Sequence, residues 1–437
     1  MFNSLDDSRI KGVHLRITAL SSGGYFLDGY DISIVSVAIL LLSKQFSLGV
    51  EDETLLLGST LIGMIFGGVL GGYLTDRNGR KYIYLWDMLL FILFTVLTTI
   101  STSFSQLVIF RLLLGVAIGA DYAISPTIIA EYSPVKHRGK LLTIGGLSWF
   151  IGAAVSYSVG FVFLPLGALA WRYMFLLGVI PALIVLVLRT SIPESPRWLV
   201  SQGRIAEAKE SIAKVVSDTS TSVTSKPEKL SFKLLFNRRF LAATIFVSVF
   251  WFILDAVTYV IALQGPTILE TLGLTAAKAS GTAAIIAFIA IIGGVLTFFL
   301  VDVAGRKSIT AIGFLGMAIT LLVAGFLLMG PPDILAIVLL FVAFEISQEF
   351  GPGITNSIYP QELYPTSVRA TAQGFGTTIS RIGAVVGIFT FGFIAGPHGY
   401  GIGMLFLAFL SCLGVAATLL LGIETKGKSL ESLTAER

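Results

Sequence analysis

Residues 76–81 read Asp-Arg-Asn-Gly-Arg-Lys, and residues 302–307 read Asp-Val-Ala-Gly-Arg-Lys. Each follows a long apolar run. Each reads as a tight turn between two helices, with glycine at the turn and basic residues beside it. A second pair has identical spacing: Glu131-x-x-Pro134-x-x-x-Arg138 and Glu362-x-x-Pro365-x-x-x-Arg369. Two motifs repeated in the same order half a chain apart imply two homologous halves.

The rest of the chain says what those halves are made of. Of 437 residues, 55% are hydrophobic and 13% charged, against roughly 25% charged in a soluble domain. The stretches 54–75, 88–110, 141–171, 279–301, 308–332 and 382–423 contain no Asp, Glu, Lys or Arg. Each exceeds the ~20 residues that carry a helix across a bilayer core. This excludes a water-soluble enzyme, and no polar stretch is long enough for a folded ectodomain. The pattern predicts spans at about 16–43, 54–75, 82–103, 106–130, 139–164, 170–188, 240–264, 277–301, 308–330, 334–359, 368–395 and 399–422. The expectation is therefore an all-α membrane protein of twelve transmembrane helices. Residues 1–188 form one six-helix bundle and 240–437 form the other with a short tail. Residues 189–239 form a linker with short helices. Six being even, both halves share one orientation, related by an axis along the membrane normal with a central cavity between them.

Basic residues set the orientation. If the N-terminus is inside, 25 of the 30 Lys and Arg fall on inside segments. Lys44, Arg172 and Lys278 lie outside, and Arg111 and Arg381 lie within spans. Both termini and the linker are then cytoplasmic in a multi-pass cell-membrane protein. The opening MFNSLDDSRIKGVHLR lacks the apolar core of a signal peptide and reads as retained. The single cysteine, Cys412, reads as a buried inert thiol. Gly67-Gly68-x-x-Gly71-Gly72 reads as close helix packing.

Gly72-x-x-x-Asp76-x-x-Gly79-Arg80-Lys81 resembles the loop motif of the major facilitator superfamily. Arg111-x-x-x-Gly115-x-x-x-Gly119 resembles its proton-linked helix motif. Pro193-Glu-Ser-Pro-Arg197-Trp198 and Glu424-Thr-Lys-Gly-Lys-Ser-Leu-Glu431 resemble its sugar-porter and organic-ion branches. The resemblance implies the superfamily fold and alternating access. It further implies a gating motif at Gly72, Asp76, Gly79, Arg80, Glu131, Arg138, Asp302, Arg306, Glu362 and Arg369. The acid at Asp76 would pair with basic residues and a helix terminus of the neighbouring span when the carrier faces outward.

A charge at mid-bilayer costs at least about 2–3 kcal/mol, so each invites a functional reading. Asp28 and Asp31 stand at i, i+3 on one face, with Asp28 roughly 18 Å past Arg16. Two close carboxylates in low dielectric favour proton uptake, which a coupling site needs. Arg111 is the candidate counter-charge for either, a role the resemblance also implies, and Asp121 is a candidate proton or substrate ligand beside Tyr122. Trp251, Asp255 and Tyr259 recur at i, i+4, i+8 and predict a ligand-facing stripe. Arg381, again roughly 18 Å deep, must face water, an anion or one of Asp255, Glu345 and Glu349. Gly351-Pro352-Gly353 should break the helix just after Glu349 and so form a gate.

Asp28-x-x-Asp31, Asp121-Tyr122 and the Trp251/Asp255/Tyr259 stripe resemble phosphate:proton symporters. Gly145 and Gly353 stand where that branch has Gln and Asn, which predicts a larger pocket. The Asp-Gly-Tyr-Asp of the first span also resembles organic-acid symporters. The reading is a proton-coupled symporter of a small anionic organic metabolite. A sugar or organic-cation carrier is the alternative, and a non-transporting sensor a further one. The proton-coupling set is Asp28, Asp31, Arg111 and Asp121. The substrate set is Tyr122, Trp251, Asp255, Tyr259, Glu349 and Arg381. The three histidines (His14, His137, His398) sit near predicted interfaces, and no metal-ligand spacing or nucleophile motif occurs. No cofactor, metal or nucleic acid is expected. The partners are substrate, protons and the lipid bilayer, with the chain a monomer.

Overall fold

Gly79 and Gly305 adopt φ values of 103° and 92°, a region open to glycine but strained for other residues. Each ends one helix and starts the next with no residue between, which fixes the two repeated loops as sharp reversals. The computed structural model describes residues 10–163, 166–215, 231–331, 333–428 and 430. The expectations for the first nine residues and for the Ser/Thr/Lys-rich part of the linker lie outside them.

The first half comprises α1 (Gly12–Phe46), α2 (Val50–Asn78), α3 (Arg80–Thr99), α4 (Phe104–Tyr132), α5 (Arg138–Phe163) and α6 (Ala170–Arg189). Short helices α7 (Pro196–Ser201) and α8 (Ile205–Val215) follow. The second half comprises α9 (Arg238–Thr271), α10 (Ala276–Ala304), α11 (Arg306–Leu328), α12 (Ile334–Phe350), α13 (Pro352–Leu363), α14 (Arg369–His398) and α15 (Tyr400–Leu421). Eleven of the described helical stretches are long and apolar enough to cross a membrane, with α12 and α13 counted as one. The first helix, equally long, carries Arg16, Asp28, Asp31 and Lys44. The break between α12 and α13 falls at Gly351, whose φ and ψ are −140° and −98°.

The halves meet along two seams, α2 against α14 and α5 against α10. These are equivalent under the internal repeat, since α2 corresponds to α10 and α5 to α14. Gly68 and Gly374 face each other across the first seam, where a Cβ on either would collide with the other's carbonyl oxygen. Gly72 likewise leaves no room before the backbone of Ala370. Close backbone approach of this kind requires glycine.

Cys412 is exposed on the outer surface of α15, which corrects the buried reading. An apolar run in a membrane helix has a lipid-facing side, so apolar neighbours in sequence do not imply burial.

Candidate functional site

On the side that carries the linker, two matching ion networks join the halves. Arg80 reaches Asp76 at 3.0 Å and Glu131 at 2.8 Å. Arg369, from the second half, reaches Glu131 at 3.1 Å. Asp76 accepts from the backbone N–H and the hydroxyl of Thr371, both at 2.7 Å. It therefore sits on the amino end of α14, where a negative charge is favoured. Arg306 repeats the pattern, at 2.9 Å from Asp302 and 3.0 Å from Glu362. Arg138 lies 3.6 Å from Glu362, and Asp302 accepts from Lys140 N–H at the start of α5, at 3.1 Å. Nearly all of these groups are buried.

The resemblance segments at the ends of the two halves complete the symmetry. Glu194 accepts from the N–H groups of Arg80 (2.9 Å) and Lys81 (3.1 Å), capping α3. Glu424 accepts from Arg306 (3.0 Å) and Lys307 (3.1 Å), capping α11. Burial raises the Glu194 carboxyl above its ordinary range, against the opposing pull of the Ser195 N–H and the Arg80 charge. Above the networks Ile129, Leu142, Val301, Ile354 and Ile358 pack across the halves as an apolar plug. Access from the linker side is closed.

Deeper lies a cavity of about 160 Å³. Tyr122, Trp251, Asp255, Tyr259, Glu349 and Arg381 all line it, so the six residues of the substrate set converge. Arg381 forms an ion pair with Asp255. Its guanidinium lies 5.0 Å from the Tyr122 ring centre and 4.9 Å from that of Tyr259, within cation–π range. Tyr122 belongs to the first half and Tyr259 to the second, so Arg381 bridges them. Glu345 and Glu349 also face the cavity, and among the described residues neither has an ion pair. Glu349 receives only the Gln348 amide, at 3.3 Å.

Gly353 lines the cavity and Gly145 does not. The ring of Tyr25 packs over Gly145, and the Glu349 carboxylate occupies the space a side chain at 353 would need. Tyr25, Trp149, Gln348 and Asn356 line the cavity as well. Their helix phase was readable, but nothing singled them out from other polar or aromatic positions.

The proton-coupling set lies away from the cavity lining and splits in two. Asp31 pairs with Arg111 at 3.0 Å. Asp121 pairs with Arg189 at 2.7 Å and accepts from Ser125. Arg189 also reaches Asp87 at 3.2 Å. Asp28, 2% exposed, keeps one carboxylate oxygen without a partner. The i, i+3 pair thus divides: Asp31 meets a counter-ion in Arg111, and among the described residues Asp28 has none. Sequence reasoning missed Asp87 and Arg189. The signal was present for Asp87, a charge seven residues inside α3. Arg189 falls one residue beyond the predicted span 170–188 and reads as the first residue of the linker.

Residues 17–436 match the model of the family described as Sugar (and other) transporter. The chain is 32% identical over 430 residues to the "Putative metabolite transport protein YaaU" of Escherichia coli (strain K12), covering 98% of this chain and 96% of that protein. It superposes on the proton:xylose symporter XylE bound to 6-bromo-6-deoxy-D-glucose with a TM-score of 0.87 at 26% identity, covering 97% of this chain and 98% of that one. Against the inward open conformation of XylE from E. coli the TM-score is 0.73 at 25% identity, covering 97% and 99%. With two six-helix halves, paired buried ion networks and a full-length family match, the chain is a multi-pass membrane transporter, not an enzyme, and belongs to the sugar (and other) transporter family of the major facilitator superfamily.

Proposed function

We propose that the protein is a proton-coupled symporter of a small organic metabolite bearing a carboxylate or similar anion, working by alternating access. The linker side faces the cytoplasm, as the distribution of basic residues favours. The observation that carries the reading is Arg381: a buried guanidinium on the cavity wall, held between Tyr122 and Tyr259 and neutralised only by Asp255 among the described residues. Protonating Asp255 would free the guanidinium for an incoming anion, so that proton and anion enter together. Trp251, Tyr122 and Tyr259 would pack on the body of the ligand. The Asp31–Arg111 pair supplies a second carboxylate whose protonation state changes its hold on a neighbouring helix, and Asp28 and Asp121 are the further proton carriers.

A sugar is the second reading. Its support is the family match and the neutral donors Trp149, Gln348 and Asn356 that line the same cavity. Uptake into proteoliposomes, with and without an imposed proton gradient, separates the two. Aromatic and aliphatic monocarboxylates, inorganic phosphate, pentoses and hexoses form the panel. Gradient-stimulated uptake of a monocarboxylate, lost in Arg381→Gln, is the expected result. Uptake of a neutral sugar that survives Arg381→Gln rejects the anion reading.

A further inference from the structure

Four charged side chains fill a pocket inside the first half, apart from the cavity. Arg189, the last residue of α6, has no exposed surface. One arm of its guanidinium lies 3.2 Å from Asp87 of α3, and the other 2.7 Å from Asp121 of α4. The first arm also donates to the Tyr84 carbonyl at 3.1 Å, and the group lies 3.7 Å above the Tyr84 ring centre. From α1, Gly24 presents bare backbone, because a Cβ there would overlap Asp121 and Arg189. One helical turn further along α1, Asp28 holds a buried, unpartnered carboxylate oxygen. Among the described residues, the cluster is also contacted by Ser125 of α4, by the Met88 N–H, which donates to Asp87 at 2.5 Å, and by Ser21 of α1 through the Tyr84 hydroxyl. Tyr25 of α1 and, from the second half, Arg381 lie within electrostatic range.

The charge count decides what this arrangement can do. Three ionised carboxylates around one guanidinium leave two uncompensated negative charges away from water, an arrangement strongly disfavoured unless protons are taken up. Its position decides what a proton there would affect. The helix that carries Tyr84 and Asp87 begins at Arg80, the centre of the linker-side gate. The helix that carries Asp121 and Ser125 ends near Glu131, the partner of both Arg80 and Arg369. Five residues beyond Arg189, Glu194 caps the amino end of α3, and the Lys81 ammonium holds the Thr190 carbonyl at 3.0 Å. Arg189 therefore ties together α3, α4 and the start of the linker, three of the segments from which the first half contributes to the gate.

We infer that Asp28, Asp87, Asp121 and Arg189 form one further proton-binding site, separate from Asp255 and from the Asp31–Arg111 pair, through which protonation is transmitted to the linker-side gate. The inference deepens the proton-coupled reading, but the presence of the bound proton can be tested without a substrate. Infrared difference spectra of the full chain in liposomes, titrated with pH, report protonated buried carboxyls by their C=O stretch. The wild type should show a band that is lost as pH rises. That band should disappear or shift in Asp28→Asn and in Asp87→Asn, and persist in Asp31→Asn. Asp28→Asn breaks no ion pair in the structure, so it remains informative if Asp87→Asn fails to fold. A band that is absent from the wild type, or unchanged in Asp28→Asn, overturns the site. For the link to the gate, labelling of a single cysteine on the linker side should vary with pH in a Cys412→Ser background and lose that variation in Arg189→Lys. Labelling with the same pH profile in both overturns the link. A transporter that fails to accumulate substrate on a proton gradient yet keeps the infrared band would reject the symport reading and leave this site standing.

Discussion

Asp76 and Thr371 lie on opposite halves of the molecule, and the Asp76 carboxylate accepts both the N–H and the hydroxyl of Thr371 at 2.7 Å. The same carboxylate pairs with Arg80 at 3.0 Å. An exposed ion pair would contribute little. Here the carboxylate is 1% exposed, and hydrogen bonds to a charged group contribute about 1.5–3 kcal/mol each. The Thr371 bonds exist only while α2 touches α14, so they stabilise one conformation over the other.

Asp76→Asn should therefore shift the population toward the inward-facing state by about tenfold or more, given that ~1.4 kcal/mol is a factor of ten. Labelling of a cysteine introduced in the outer cavity should fall correspondingly. Unchanged labelling would show that the contact does not hold the gate.

Gly374→Ala should act in the same direction without altering any charge. The new methyl would lie against the carbonyl oxygen of Gly68, a backbone atom that cannot rotate away. Overpacking costs about 1–3 kcal/mol, and it applies only to the state in which the seam is closed. The same labelling assay should report opening, and the effect should not vary with pH. A variant that behaves as wild type would mean that the seam relaxes easily.

Asp31→Asn should abolish accumulation on a proton gradient while leaving exchange of substrate across the membrane. Arg111 lies 3.0 Å from Asp31, and an amide holds no exchangeable charge for it. Comparing net uptake with counterflow in proteoliposomes separates the two activities. If Asp31→Asn and Asp28→Asn both still concentrate substrate, coupling resides elsewhere.

At Arg381, lysine keeps the charge but loses the planar two-donor fork. Arg381→Lys should weaken binding of a carboxylate about tenfold, the loss of roughly one good charged hydrogen bond, and Arg381→Gln should nearly eliminate it. Affinity should rise as pH falls, because protonating Asp255 removes the competitor for the guanidinium while the arginine stays charged. Titration of binding against pH, in the wild type and Arg381→Gln, checks both the direction and the residue. Affinity that is independent of pH and of Arg381 would favour a neutral ligand.

The sequence by itself determined the fold, the number of spans and the two repeated turn motifs. Hydrocarbon admits only helices whose backbone is internally bonded, so the length and apolarity of each run settle its structure locally. The Gly79 and Gly305 turns and the break at Gly351 are equally local, set by which residues tolerate the backbone angles. The helix phase of Trp251, Asp255 and Tyr259 likewise placed one stripe on one face. What the sequence could not decide was which charge meets which. Asp28 and Asp31 share a motif but among the described residues only Asp31 meets a counter-ion, Arg189 reads as a linker residue yet is shared between Asp87 and Asp121, and Cys412 faces outward from an apolar run. Those outcomes depend on how helices distant in sequence rotate and pack. A buried charge takes its partner from whichever helix the packing brings near it, and only the tertiary structure fixes that neighbour.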